Sequence, residues 1–270
     1  MKILSLGLAV LMVSGCASYG VVDNTPQKVA GTPDGYSIRS GGGSGWGSGE
    51  ISLILAFSGG GTRAAALAYG VLEELRDTAV VIDGSPRRLL DETDIISSVS
   101  GGSFTSAYYG LYGDRIFEDF EGVFLKRNVQ GQLIRGLLNP LEWFSSAGRT
   151  EMAVTLYEKS VFHGATFADM KREGSPLVLI NASDLGYGVR FSFVQEYFNL
   201  LCSDISDYPV ARAVTASSAV PVLFEPVVVE NYQDCKKKKP AWLLAAEKRA
   251  AGDPEMTLAV DGLNSYFKKD

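Results

Sequence analysis

The sequence predicts an α/β fold with a mostly parallel central sheet, and two strand–turn–helix units carry the prediction. The first begins at residues 51–57 (ISLILAF), a nearly continuous apolar run followed by Ser58-Gly59-Gly60-Gly61 and a stretch with helical periodicity. The second begins at residues 94–99 (DIISSV), followed by Ser100-Gly101-Gly102 and a helix expected over 103–111 (SFTSAYYGL). Short, branched, continuous apolar runs read as strands buried on both faces, which is how parallel sheets under helices look. A chain of 270 residues, 46% hydrophobic and 21% charged, has enough apolar material to cover such a sheet.

Taken in order, residues 1–15 read as a signal peptide. Lys2 precedes an apolar run over 3–13 that is shorter than the ~20 residues a membrane span needs and fits a secretory h-region. Val13-Ser14-Gly15-Cys16 resembles a bacterial lipobox, which makes Cys16 the expected lipidation site; the alternative is an ordinary signal peptide with an incidental cysteine. Ala17 follows the cysteine where Asp would resemble an inner-membrane retention signal, so the outer membrane of a Gram-negative envelope is the expected location. Residues 16–49 read as a tether: 40–49 hold six Gly and three Ser around Trp46, too little apolar surface to offset ordering entropy. The folded domain is expected over 50–270.

Charge and rare residues exclude several functions. With 25 basic against 31 acidic residues and a net charge of -6, a nucleic-acid partner is not expected. One histidine and three scattered cysteines do not make a four-ligand zinc site, and no metal motif or cofactor is called for. Once Cys16 is set aside, Cys202 and Cys235 remain. In an oxidising compartment they suggest one disulfide, the alternative being two free thiols. In the chain-entropy model such a bridge contributes roughly 3–4 kcal/mol.

The turns carry the chemistry. At the first unit, bare backbone N–H groups of three glycines converge ahead of the helix over 62–77, a site for negative charge such as a phosphate or a developing oxyanion. The phosphate reading is weak, because GxxxxGK[ST] is absent and GGGTRA lacks the last glycine of GxGxxG. A glycine turn without chemistry is the bland alternative. At the second unit, Ser100 stands between strand and helix with small neighbours, the physical content of a nucleophile elbow. Ser98 and Gly102 make the pattern SxSxG.

Together these pieces resemble the patatin-like phospholipases, and more narrowly bacterial patatin-family lipoproteins. The likeness rests on FSGGGTRA at 57–64, SVSGG at 98–102, ASSAVPVLFEPV at 216–227 and VDGL at 260–263. It implies a three-layer α/β/α sandwich and a Ser-Asp dyad that cleaves acyl esters of membrane lipids. By position, Ser100 is the implied nucleophile and Asp261 its base. Gly59, Gly60 and Gly61 are the implied oxyanion donors, and Arg63 stands at the family's basic position beside them. Ser58, Ala64, Ser98 and Leu263 depart from the family pattern. Leu263 would be strained if its position needs φ > 0. The chain ends nine residues after Asp261, so the sandwich is expected to be either C-terminally shortened or divergent at its C-terminus.

A serine needs a base to become a nucleophile. His163 lies in SVFHGATFAD, beside a glycine and an expected helix start at Thr166, and reads as a loop residue. A carboxylate improves as a base when desolvated against Ser Oγ. The sequence therefore points to a lipid-anchored serine acyl hydrolase, phospholipase A-like. Its rival is a non-catalytic lipid-binding or structural lipoprotein with a disabled dyad. Of the remaining features, Lys236–Lys239 reads as a solvated loop and residues 130–144, rich in Leu and aromatics, as core or a lipid-facing segment. Residues 181–193 read as a strand, a glycine turn and a second strand.

Overall fold

The computed structural model describes residues 20–27, 35–38, 51–127, 131, 148–220, 223–233, 235 and 238–267. Its central sheet has four strands: β2 (Leu53–Phe57), β5 (Thr93–Val99), β6 (Leu177–Ser183) and β7 (Arg190–Ser192), in the order β2-β5-β6-β7. The first three are parallel, and β7 returns antiparallel to β6 with Asn181 opposite Ser192. The hairpin expected over 181–193 is thus present. Two small pairs complete the strands. β3 (Ala79–Ile82) pairs with β4 (Ser85–Arg88), and β1 (Thr25–Pro26) with β8 (Ser203–Asp204).

Both expected crossover helices form. α1 (Thr62–Asp77) follows the glycine loop and buries Ala65, Ala68, Tyr69 and Leu72, spaced as one helical face. α2 (Gly101–Tyr112) follows Ser100 and is buried along its first eleven residues. Ser106 of α2 donates to Ser98 of β5, and Gly110 lies against Val178 of β6. Beyond these come α3 (Ile116–Phe120), α4 (Arg149–Tyr157), α5 (Gln195–Leu200), α6 (Val210–Ser218), α7 (Ala241–Ala250) and α8 (Pro254–Ser265). α6 packs against both α2 and β6. α7 and α8 pair around a satellite core of Leu200, Leu243, Val260 and Leu263. The helix expected at Thr166 is instead a turn, in which Asp169 accepts the Thr166 N–H and hydroxyl.

Two expectations are corrected. β2 is not buried on both faces. Among the described residues it is one of the two edge strands, and Ile54 is 61% exposed, with Ala56 and Val99 exposed in the same region. The helices α1, α2 and α6 gather on the side of Phe57, Ile96 and Ile180. Among the described residues no helix covers Ile54, Ala56 and Val99.

The second correction concerns the tether, part of which is built into the fold. Asn24 is buried; its amide donates to Ser203 Oγ at 3.1 Å and to the Glu230 carbonyl at 2.9 Å, and its Oδ1 accepts from Glu230 N at 2.8 Å. Asp23 pairs with the buried Arg212, which also forks onto Glu151 at 2.7 Å through each nitrogen. Tyr36 is fully buried, and its hydroxyl accepts from Val178 N at 2.6 Å and donates to Val178 O at 3.2 Å. Among the described residues no strand pairs with the outer edge of β6 at Val178, and this one hydroxyl satisfies both of its backbone groups. Cys202 and Cys235 form a disulfide with Cα atoms 5.5 Å apart.

Replacing Tyr36 by Phe keeps the ring and strands both Val178 groups. Tyr36→Phe is expected to cost at least 1–3 kcal/mol, the range for one buried group left unpaired, read as a lower urea midpoint at unchanged slope.

Candidate active site

The site is built where β2 and β5 end side by side. Ser100 follows the last residue of β5 and caps α2 with φ 53° and ψ -123°. No L-residue rests there freely, and such conformations cost on the order of 1–3 kcal/mol. What holds it is close packing. A Cβ on Gly101 would collide with the Gly61 carbonyl. A Cβ on Gly102 would lie 2.7 Å from Phe57 Cβ and 2.9 Å from the carbonyl oxygens of Phe57 and Ser58. Bare backbone at 101 and 102 therefore lets the first turn of α2 sit directly on the glycine loop. That loop uses the other glycine freedom: Gly60 and Gly61 have φ 140° and 63°.

The result brings Ser100 to Gly59, whose ideal Cβ position is 3.2 Å from Ser100 Cβ and 3.8 Å from Ser100 Oγ. Gly59, Gly60 and Gly61 lie at the N-terminus of α1, and among the described residues none of their N–H groups finds an acceptor. They are available to an anion forming beside Ser100. Arg63 is exposed in the first turn of α1.

Beneath the elbow lies a network of small hydroxyls that the sequence reading overlooked. Ser217 of α6 accepts from Ser100 N at 2.8 Å and donates to the Asn181 carbonyl at 2.6 Å. Ser103 Oγ lies 3.0 Å from Ser217 Oγ and 3.2 Å from Ser98 Oγ. Asn181 donates to Ser97 Oγ at 3.1 Å and to Ser98 O at 3.0 Å, while its Oδ1 accepts from Ser192 at 2.7 Å. The signal for Ser217 is its place in ASSAVP, a segment that carries part of the family likeness without a role of its own.

A cavity of about 420 Å³ has Ser217, but not Ser100, in its lining. Phe191, Phe193, Leu201, Phe224 and Val229 give it an apolar wall. Its two carboxylates, Asp184 and Glu225, are engaged. Asp184 accepts from the Tyr266 hydroxyl at 2.5 Å and from the N–H groups of Gly186 and Tyr187. Burial pushes the Glu225 carboxyl up, but hydrogen bonds from its own and the Thr150 backbone and from Arg149 outweigh this and hold it below the usual carboxylate value. Held low in this way, Glu225 is a weak proton acceptor.

Asp261 is not brought into hydrogen-bond contact with Ser100. It lies inside α8 on the exposed side, and its carboxylate has no hydrogen bond or ion pair among the described residues. Ser100 Oγ likewise has none. The reason is local: Asp253 caps α8 by accepting from Met256 N, Pro254 opens it, and Val260 and Leu263 turn inward to Leu243. Leu263 is helical and free of the strain feared for it. His163 is exposed in a left-handed conformation after a helical turn, a loop residue as expected. Of the lysine run, Lys239 pairs with Glu247, while Lys236 and Lys237 lie outside the described residues. So do Cys16 and, Gly131 apart, residues 130–144.

A strand–glycine-loop–helix beside a strand–serine–helix defines a serine-elbow α/β protein. Residues 55–243 match the model of the patatin-like phospholipases, and the chain belongs to that family. The matched segment takes in the glycine loop, Ser100 and Ser217, and ends before Asp261. No curated protein matches the chain. Among solved structures, human GIVD cytosolic phospholipase A2, in complex with methyl γ-linolenyl fluorophosphonate and terbium chloride, is 19% identical with a TM-score of 0.38. That likeness covers 82% of this chain and 33% of the other, so the chain spans about a third of that protein.

The close approach at the elbow makes a sharp contrast between two glycines. Gly101→Ala is expected to destabilise by at least 1–3 kcal/mol through overpacking. Gly70→Ala, in mid-α1 with nothing within 4 Å of the new carbon, is expected to stabilise by about 0.8–1 kcal/mol. Thermal unfolding of the two variants checks both signs.

Proposed function

We propose that this chain is a lipid acyl hydrolase of the phospholipase A type, with Ser100 as nucleophile. One observation carries the reading: a serine in a strained elbow, with its Oγ against Gly59 and the unoccupied N–H groups of the glycine loop beside it. Ser100 Oγ attacks the ester carbonyl carbon as its proton passes to a base. The carbonyl electron pair becomes an oxyanion facing the N–H groups of Gly59, Gly60 and Gly61. Collapse expels the alcohol, which leaves with that proton, and water then releases the fatty acid by the same steps. In a well-studied protease one oxyanion donor contributes about 2.7–4 kcal/mol. The largely apolar wall of the cavity that Ser217 helps to line supports an acyl substrate, since such a surface favours hydrocarbon chains. Arg63, exposed in the first turn of α1, is the cation proposed to meet the substrate's negative charge.

The three-layer α/β/α sandwich belongs to this proposal; the open side at Ile54 and Val99 is where a second helical layer would lie. So does the role of Asp261. As base, it would have to leave solvent and reach Ser100 Oγ. Its exposed position favours the rival reading of an impaired, lipid-binding protein.

An alkyl fluorophosphonate separates the readings. The folded chain is expected to take one label at Ser100, and Ser100→Ala to take none; an unlabelled wild-type chain would leave the binding reading standing. Asp261→Asn is expected to label at the wild-type rate if the carboxylate stays on the outer face of α8, and to lose labelling if it serves as base. The lipid anchor is likewise proposed at Cys16: Cys16→Ser is expected to move the protein from the membrane fraction to the soluble fraction of a Gram-negative host.

A further inference from the structure

The strained backbone of Ser100 is held from three directions. Gly101 is wedged under the Gly61 carbonyl, and Gly102 is seated on Phe57 and Ser58. The third hold is the one made by a side chain, the Ser217 hydroxyl accepting the Ser100 N–H at 2.8 Å. We infer that Ser217 is a positioning residue for Ser100, fixing the elbow in the conformation that presents Oγ to the glycine loop. This rests on the reading of Ser100 as nucleophile.

The polarity of the network supports it. A serine hydroxyl has one proton, and that of Ser217 is directed at the Asn181 carbonyl at 2.6 Å. Its oxygen is therefore turned to accept, and the Ser100 N–H is the backbone donor it meets. Asn181 is itself tied to Ser97, Ser98 and Ser192, so the acceptor rests on three strands of the sheet. The bond also settles which amide does what: the Ser100 N–H is consumed in holding the turn, and the N–H groups of the glycine loop stay free for the oxyanion. Without this acceptor, Ser100 N–H is unpaired, and φ 53° is held by glycine contacts alone. A nucleophile displaced by even ~1 Å can lose about a hundredfold in rate.

The test compares Ser217→Ala with Ser217→Thr, which keeps the hydroxyl. Both are measured by the rate of fluorophosphonate labelling and by kcat and KM on a short-chain p-nitrophenyl ester. Ser218→Ala is the control, since among the described residues Ser218 bonds the Val214 and Thr215 carbonyls of its own helix and no group of the elbow. Ser217→Ala is expected to label ten- to a hundredfold more slowly, with kcat reduced and KM unchanged. Ser217→Thr is expected to stay within a fewfold of wild type, and Ser218→Ala to match it. Labelling of Ser217→Ala at the wild-type rate overturns the inference while leaving Ser100 as nucleophile. So does an equal loss in Ser217→Thr, or a rise in KM with kcat intact. A wild-type chain that takes no label removes the nucleophile reading and this inference with it.

Discussion

The contact between the Gly101 backbone and the Gly61 carbonyl joins the two strand–turn–helix units into one site. Each unit by itself is a common piece of α/β architecture. Once α2 is pressed onto the glycine loop, three things follow. Ser100 is driven to φ 53°, its Oγ is placed beside Gly59, and the N-termini of α1 and α2 converge on one spot. A side chain at 101 or 102 would separate the units, and the site would come apart into two unrelated turns. The constraint is steric and the hydroxyl network beneath it is uncharged, so neither depends on the titration of a side chain.

That network shows how a protein can stabilise a strained turn without charge. Ser98, Ser103, Ser106, Ser217 and Asn181 satisfy one another in a region buried between β5, β6, α2 and α6. Hydroxyls are small enough to sit where strands and helices nearly touch, and each donates and accepts, so the groups can be satisfied without ions or desolvated charge. The carboxylates nearby, Asp184 and Glu225, are bound into the cavity wall by tyrosine, arginine and backbone donors.

Much of this was legible in the sequence because it is local. A continuous apolar run, a glycine cluster and a helical stripe encode β2, the loop and α1 within some two dozen residues. The same holds for β5, Ser100 and α2. What was missed falls into two kinds. Asp261 was read from a tetrapeptide, while the stronger local signal lay upstream: Asp253-Pro254-Glu255 starts a helix, and Val260 and Leu263 are spaced to continue it. That pattern turns Asp261 outward. The burial of Asn24 and Tyr36 was illegible for the opposite reason, since their partners lie far along the chain and nothing in residues 17–49 announces them. β2 read as doubly buried because its composition does not reveal that it is the last strand of the sheet.

The docking of Asn24 and Tyr36 has a consequence for how the chain acquires its shape. Asn24 meets residues 179 and 206 positions later, Tyr232 reaches back 208 positions to it, and Tyr36 meets Val178 across 142. Contacts of such separation form late, because loop closure must be met before they contribute. The first described residues to leave a ribosome or a translocon are therefore among the last to find their places. Until β8, Glu230 and Tyr232 exist, Asn24 has no partners to bind. Asn24 and Tyr36 therefore close a domain whose other parts are already in place.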